Sequence, residues 1–218
     1  MGESRVYSKP TLAEEIANAV SHGIGALLAI AGTAVMVVFA AQTGDVASIV
    51  SSSIYGGSLI LLFLMSTLYH AFSRESVKRI FQKFDHCSIF LLILGSYAPI
   101  CLSLLGGRMG YILFGFNAGF TLLGIVVNSI DVKRWQKLSL VIYLLMGWSV
   151  VFCLRPLLRT VPPSGFALLL SGGLMYTVGI IFYKAKHIRF MHSIWHLFVL
   201  AGSVLHYLFM LFYIILPV

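Results

Sequence analysis

The chain has 218 residues, 59% of them hydrophobic and only 10% charged, and a mean hydropathy of +0.96. So few charges cannot clothe a soluble domain of this size. A helix crosses the hydrocarbon core with roughly 20 apolar residues, so about seven crossings would use most of the chain. The expected architecture is an all-α integral membrane bundle of seven helices, one domain over 1–218, with 1–16 as a short N-terminal segment.

The polar stretch from Met1 to Glu15 has no basic region leading into a short apolar run with a small-residue cleavage site. A removable secretory signal is therefore not expected, and the first apolar segment reads as a permanent anchor. Thr11 and Glu14 follow Pro10 in the T-x-x-E spacing of a capping box, which predicts a short amphipathic helix leading into the first span, Ala17 to Ala41. A polar loop around Gly44 and Asp45 precedes span two, Ile49 to Ala71, and a basic loop covers Ser73 to Lys83. Span three, Phe84 to Leu105, closes on a tight turn at Gly106-Gly107-Arg108, and span four runs from Met109 to Ile130. Another basic loop, Asp131 to Lys137, leads to span five, Leu138 to Leu154, after which Pro156, Pro162 and Pro163 predict a non-helical connection. Span six is Ser164 to Tyr183, and the loop Lys184 to Arg189 leads to span seven, His192 to Ile215. The pairs Gly56-Gly57 and Gly172-Gly173 suit close helix packing in lipid.

With the N-terminus inside, twelve basic residues fall on the inner face: Arg5, Lys9, Arg74, Lys78, Arg79, Lys83, Lys133, Arg134, Lys137, Lys184, Lys186 and Arg189. Only three, Arg108, Arg155 and Arg159, fall outside. That asymmetry predicts a cytoplasmic N-terminus and an outer C-terminus in an inner (plasma) membrane. It also accounts for the net charge of +8 without a nucleic-acid partner. The three cysteines, Cys87, Cys101 and Cys153, are too few and scattered for a disulfide framework or a CxxC metal site. One bridge between Cys101 and Cys153 is open to them near the outer face, but packing as small apolar side chains is the better reading.

This topology puts six of the seven histidines, His22, His70, His86, His187, His192 and His196, toward the inner face. His192-x-x-x-His196 sets two imidazoles one turn apart on one helix face, a spacing that chelates a metal. Ser66-x-x-x-His70 repeats the spacing at the end of span two, and Asp85 is the only charged residue placed inside any span. Each alone has a plainer reading: interfacial histidines, a packing serine, an N-cap aspartate. Together they form three imidazoles, a carboxylate and a serine at one depth, the composition of a catalytic Zn²⁺ site with a position left for water. His206 lies roughly 21 Å along the helix from His192. It is too far to share that metal, and reads as a polar interior group bonded to a neighbouring helix.

Glu14-Glu15-Ile16-Ala17-Asn18 with Ser21-His22-Gly23, then Ser66-Thr67-Leu68-Tyr69-His70, Phe84-Asp85-His86 and His192-Ser193-Ile194-Trp195-His196, resemble the bacterial hemolysin III family. That family is related to the adiponectin and progestin receptors and, more distantly, the alkaline ceramidases. The resemblance spans nearly the whole chain. It implies seven helices, a cytoplasmic N-terminus and Zn²⁺ on His70, His192 and His196, with Asp85 contacting the metal through a water and Ser66 beside it. The long cytoplasmic region of the receptors is missing, so hormone reception is not carried over.

The leading expectation is a zinc-dependent hydrolase of lipid amides or esters at the cytoplasmic leaflet, with membrane lipids as partners and substrate. The alternative is a non-enzymatic membrane-homeostasis or signalling protein with a structural zinc. A pore-forming hemolysin is disfavoured, since a seven-helix membrane protein has no evident soluble state. Ion-coupled transport lacks a charged side chain at mid-membrane. No GxSxG, HExxH or P-loop motif is present.

Overall fold

The computed structural model describes residues 10–185 and 187–216. Arg5, Lys9 and Lys186 of the inner-face count, and the chain up to Lys9, lie outside the described residues. Among the described residues there is no strand, and seven helices are long and apolar enough to cross a membrane. They are α1 Leu12–Thr43, α2 Val46–Ala71, α3 Glu75–Leu105, α4 Gly107–Ile130, α5 Val132–Thr160, α6 Pro163–Lys184 and α7 Met191–Ile215.

The capping box forms as the spacing predicts. The Glu14 N–H donates to Thr11 Oγ1 at 3.3 Å, and Glu14 Oε2 accepts the Thr11 N–H at 2.8 Å. No separate amphipathic helix follows, because the box starts α1 itself. Asp45 caps α2, accepting from the Ala47 and Ser48 N–H groups and from the Ser48 hydroxyl. Those bonds, the Ser48 hydroxyl first, hold its carboxyl below the usual carboxylate range.

The two basic stretches expected as loops are mostly helix. α3 begins at Glu75, and α5 begins at Val132, capped by Asp131 through the Lys133 and Arg134 N–H groups. Hydropathy locates the apolar part of a helix, and nothing stops a helix from continuing past the lipid with charges on its surface. Asp85 consequently sits well inside α3 and is not its N-cap.

Two helices change winding. α3 ends in a π-helical segment, Pro99–Leu105, closed by the Gly106 N–H to Cys101 O at 3.1 Å. Gly106 and Gly107 follow at φ 57 and φ 55, a left-handed conformation that glycine adopts without a Cβ clash. α5 tightens to a 3₁₀ segment at Ser149–Cys153. There the Tyr97 hydroxyl of α3 donates to Met146 O at 2.8 Å and accepts the Val150 N–H at 2.9 Å. It thereby serves backbone groups that the ladder has released. α5 then runs as helix through Thr160, correcting the non-helical reading at Pro156. Pro156 lies in the first turn after the 3₁₀ segment, where a missing N–H costs little.

α1 packs against α2 and α7, α2 also against α3, α6 against α7, and α4 against α3 and α5. The core gathers Met36, Tyr55, Phe63, Phe209 and Met210 at these contacts. Leu27, Ile112, Leu122 and Ile181 point outward, as lipid-facing side chains should. All three cysteines are free, and Cys101 and Cys153 pack in one buried cluster. The glycine pairs divide: a Cβ at Gly56 would strike Thr33 of α1 and one at Gly172 the His206 ring, while a Cβ at Gly57 or Gly173 would meet no other part of the fold within 4 Å.

Gly56→Val is therefore expected to destabilise the fold by roughly 1–3 kcal/mol through overpacking. Gly57→Ala next to it should stay within about 0.5 kcal/mol of wild type. Thermal unfolding in detergent micelles compares them, and equal effects would refute the packing assignment.

Candidate metal centre

Three helix ends meet at one end of the bundle. The last turn of α2 carries His70, the first turns of α7 carry His192 and His196, and the first turns of α1 run beside both. One nitrogen from each of His70, His192 and His196 lies within 4.8 Å of the others, so the three can hold a metal ion. The ring centroids are 5.3 Å apart for His70 and His192, 5.0 Å for His70 and His196, and 4.7 Å for His192 and His196.

α1 supplies the surroundings. Glu15 Oε2 is 2.7 Å from His70 Nδ1, and its other oxygen is 2.6 Å from Lys78 Nζ on α3. The Asn18 carbonyl is 3.2 Å from His196 Nδ1, and Asn18 Oδ1 accepts the Ser193 hydroxyl at 2.6 Å. The Ser21 hydroxyl donates to Asn18 O at 2.9 Å and lies 3.3 Å from His196 Nδ1. With its hydrogen so committed, Ser21 Oγ can only accept, and both contacts ask for Nδ1–H on His196. Its Nε2 lone pair is left for a ligand role. His22 stacks on the His196 ring at 3.6 Å with 13° between the planes.

Ser66 lies one turn before His70 and is 1% exposed. Asp85, with its side chain 14% exposed, has His70 and His22 among its electrostatic neighbours. It is not part of the group of three that can share an ion. His86 donates its Nδ1–H to Gln82 O at 2.9 Å, and the exposed His187 lines the mouth without joining the three. His206, far along α7, lies 3.1 Å from the Leu169 carbonyl of α6 through Nε2.

His70 Nε2, Ser66 Oγ and both His22 nitrogens are buried without a hydrogen-bond partner among the described residues. Unpartnered polar atoms in an apolar bundle cost roughly 1–3 kcal/mol each, so several together mark a site that takes a ligand. Neutral imidazoles suit a borderline ion such as Zn²⁺. A cavity of about 1500 Å³ opens at the same end, with Glu15, His70, Lys78, Arg79, His86 and His192 in its lining.

Sequence spacing found the three histidines but not Glu15 and Asn18 as their supports. The available signal was Glu15, Asn18 and His22 at intervals of three and four, which share one face of α1.

Comparison with known proteins agrees with the motifs. Residues 11–207 match the family model described as Haemolysin-III related. The chain is 44% identical over 203 residues to the hemolysin-3 homolog of Bacillus subtilis (strain 168), covering 93% of this chain and 95% of that protein. It is 40% identical over 202 residues to hemolysin-3 of Bacillus cereus, covering 93% and 92% respectively. It is also 31% identical over 209 residues to the monocyte to macrophage differentiation factor of Homo sapiens, covering 91% of this chain and 84% of the human one.

Protein purified without chelators is expected to carry about one divalent metal ion per chain, and the double variant His192→Ala/His196→Ala none. Elemental analysis against protein concentration decides this, and a metal-free wild type would refute the site.

Proposed function

Because this multi-pass membrane protein belongs to the Haemolysin-III related family, we propose that it is a zinc-dependent hydrolase of lipid amides or esters. The convergence of His70, His192 and His196 beside unpartnered Ser66 and the largely buried Asp85, at an open end of the bundle, carries this reading.

A zinc ion held by the three histidines would supply Lewis acidity, polarising a carbonyl and making water a better nucleophile near neutral pH. The protein's own groups do the rest. The Asp85 carboxylate takes the proton from the attacking water as general base. The Ser66 hydroxyl donates a hydrogen bond to the oxygen on which charge develops. A site at the end of a membrane-spanning bundle suits a substrate that stays in the bilayer. We place this end on the cytoplasmic side of the inner membrane, since Lys78, Arg79, Lys83, Lys133 and Arg189 line the same cavity.

A second reading has its own observation. His70 stands on the second spanning helix and His192 and His196 on the seventh, so an ion there would staple α2 to α7. In that case the metal stabilises the bundle and nothing is hydrolysed.

Incubation of the purified protein with mixed ceramides and phospholipids is expected to release fatty acid, and Asp85→Ala to slow release by roughly 10²- to 10⁴-fold with metal retained. No release from any lipid, with a large fall in melting temperature on chelation, would replace the hydrolase with the structural-metal reading.

A further inference from the structure

The first turn and a half of α1 is not used by the chemistry above, yet its side chains reach toward both ligand-bearing helices. His70 Nδ1 faces two α1 groups that make opposite demands on its ring. Glu15 Oε2, at 2.7 Å, needs a proton on Nδ1, whereas the Asn18 side-chain amide, at 3.5 Å, needs Nδ1 bare. The shorter contact is the charge-assisted one and prevails. Nδ1 therefore carries a proton, which leaves the lone pair of a neutral ring on Nε2, and Nε2 is the His70 atom buried without a partner among the described residues.

We propose that Glu15 is a positioning residue of the metal centre, orienting His70 so that Nε2 faces His192 and His196. The proposal rests on the metal-centre reading above. A carboxylate on the far nitrogen of a ligating imidazole fixes the tautomer, restrains the ring and makes the ligand more basic. Glu15 is itself restrained, because its second oxygen is taken by Lys78 of α3 at 2.6 Å. A lone pairing of Glu15 with Lys78 would contribute little at the rim of a cavity, but the bond to His70 gives that pairing a task, namely to keep the carboxylate in place. The neighbouring Glu14 works on the other ligand helix. Its Oε1 accepts the Phe190 N–H at 2.9 Å, and Phe190, at φ 61, immediately precedes α7 and lies two residues before His192. Adjacent acids on α1 thus tie down the end of α2 and the start of α7.

The test uses the full chain in detergent micelles, with wild type, Glu15→Ala, Glu15→Gln and Lys78→Met. Zn²⁺ is titrated in competition with a chromophoric chelator, and the visible absorption of the Co²⁺-loaded protein is recorded. Glu15→Ala is expected to weaken Zn²⁺ binding by roughly 10- to 100-fold and to alter the Co²⁺ band shape. Glu15→Gln, which keeps a neutral acceptor near Nδ1, should fall between Ala and wild type, and Lys78→Met should weaken binding less than Glu15→Ala. Helical circular dichroism and metal-free melting of the Gln variant guard against simple misfolding. Wild-type affinity and an unchanged Co²⁺ spectrum in Glu15→Ala would overturn the proposal. A wild type that binds neither metal refutes the centre itself, before any substitution is compared.

Discussion

A hydrocarbon solvent accepts no hydrogen bonds, so each polar group in a spanning helix must find its partner within the chain. Some side chains do so by the shortest route. Thr33 donates to Ala29 O, Ser58 to Tyr55 O and Thr67 to Phe63 O, each returning to its own helix. Others reach across: Tyr176 pairs with Ser203, Tyr207 donates to Gly32 O, and Tyr97 serves the wound-up segment of α5. The buried polar atoms left without a partner among the described residues are then informative. Ser52, Asn117 and Trp135 each contribute a single atom, and His206 one beyond its bonded nitrogen. Ser66, His70 and His22 contribute theirs around one set of histidines, and the same constraint that satisfies the rest of the bundle thereby marks its site.

The site also depends on chain topology. α1 packs against both α2, which carries one ligand, and α7, which carries the other two, and Asn18 reaches Ser193 across 175 positions of sequence. The bonding atoms exist together only once the first and last spans have packed, so the centre reports completed assembly of the bundle. This is a costly closure in chain entropy. A membrane eases it, because preformed helices are already parallel or antiparallel and held in one plane.

The spans were readable from hydropathy because transfer to lipid dominates the free energy of each segment. Their ends were less so. Glu75 to Lys83 and Val132 to Lys137 are charged and therefore read as loops, but exposure to water does not oppose helix formation, and both continue the adjoining span. His70, His192 and His196 announced themselves by helical spacing, since two pairs four apart needed only the span order to meet. Glu15 did not, because beside the Thr11–Glu14 box an acid reads as one more favourable charge at a helix start. Its partner is 55 positions away, and no local pattern encodes that contact. The Tyr97 bonds to α5 were hidden for the same reason.

Two carboxylates approach the histidines, and their surroundings divide the work between them. Both Glu15 oxygens are occupied, one by His70 and one by Lys78, each within 2.7 Å. A carboxylate so committed cannot take up a proton without breaking a bond that holds the site together. Asp85 differs. Its only ion-pair contact among the described residues is His86 Nδ1 at 3.4 Å, and that proton is better placed for Gln82 O at 2.9 Å. Its hold on His86 is thus the looser pairing of the two acids, while His70 and His22 stand within electrostatic reach. The more restrained acid suits orientation and the less restrained one proton exchange, in keeping with the roles proposed for Glu15 and Asp85.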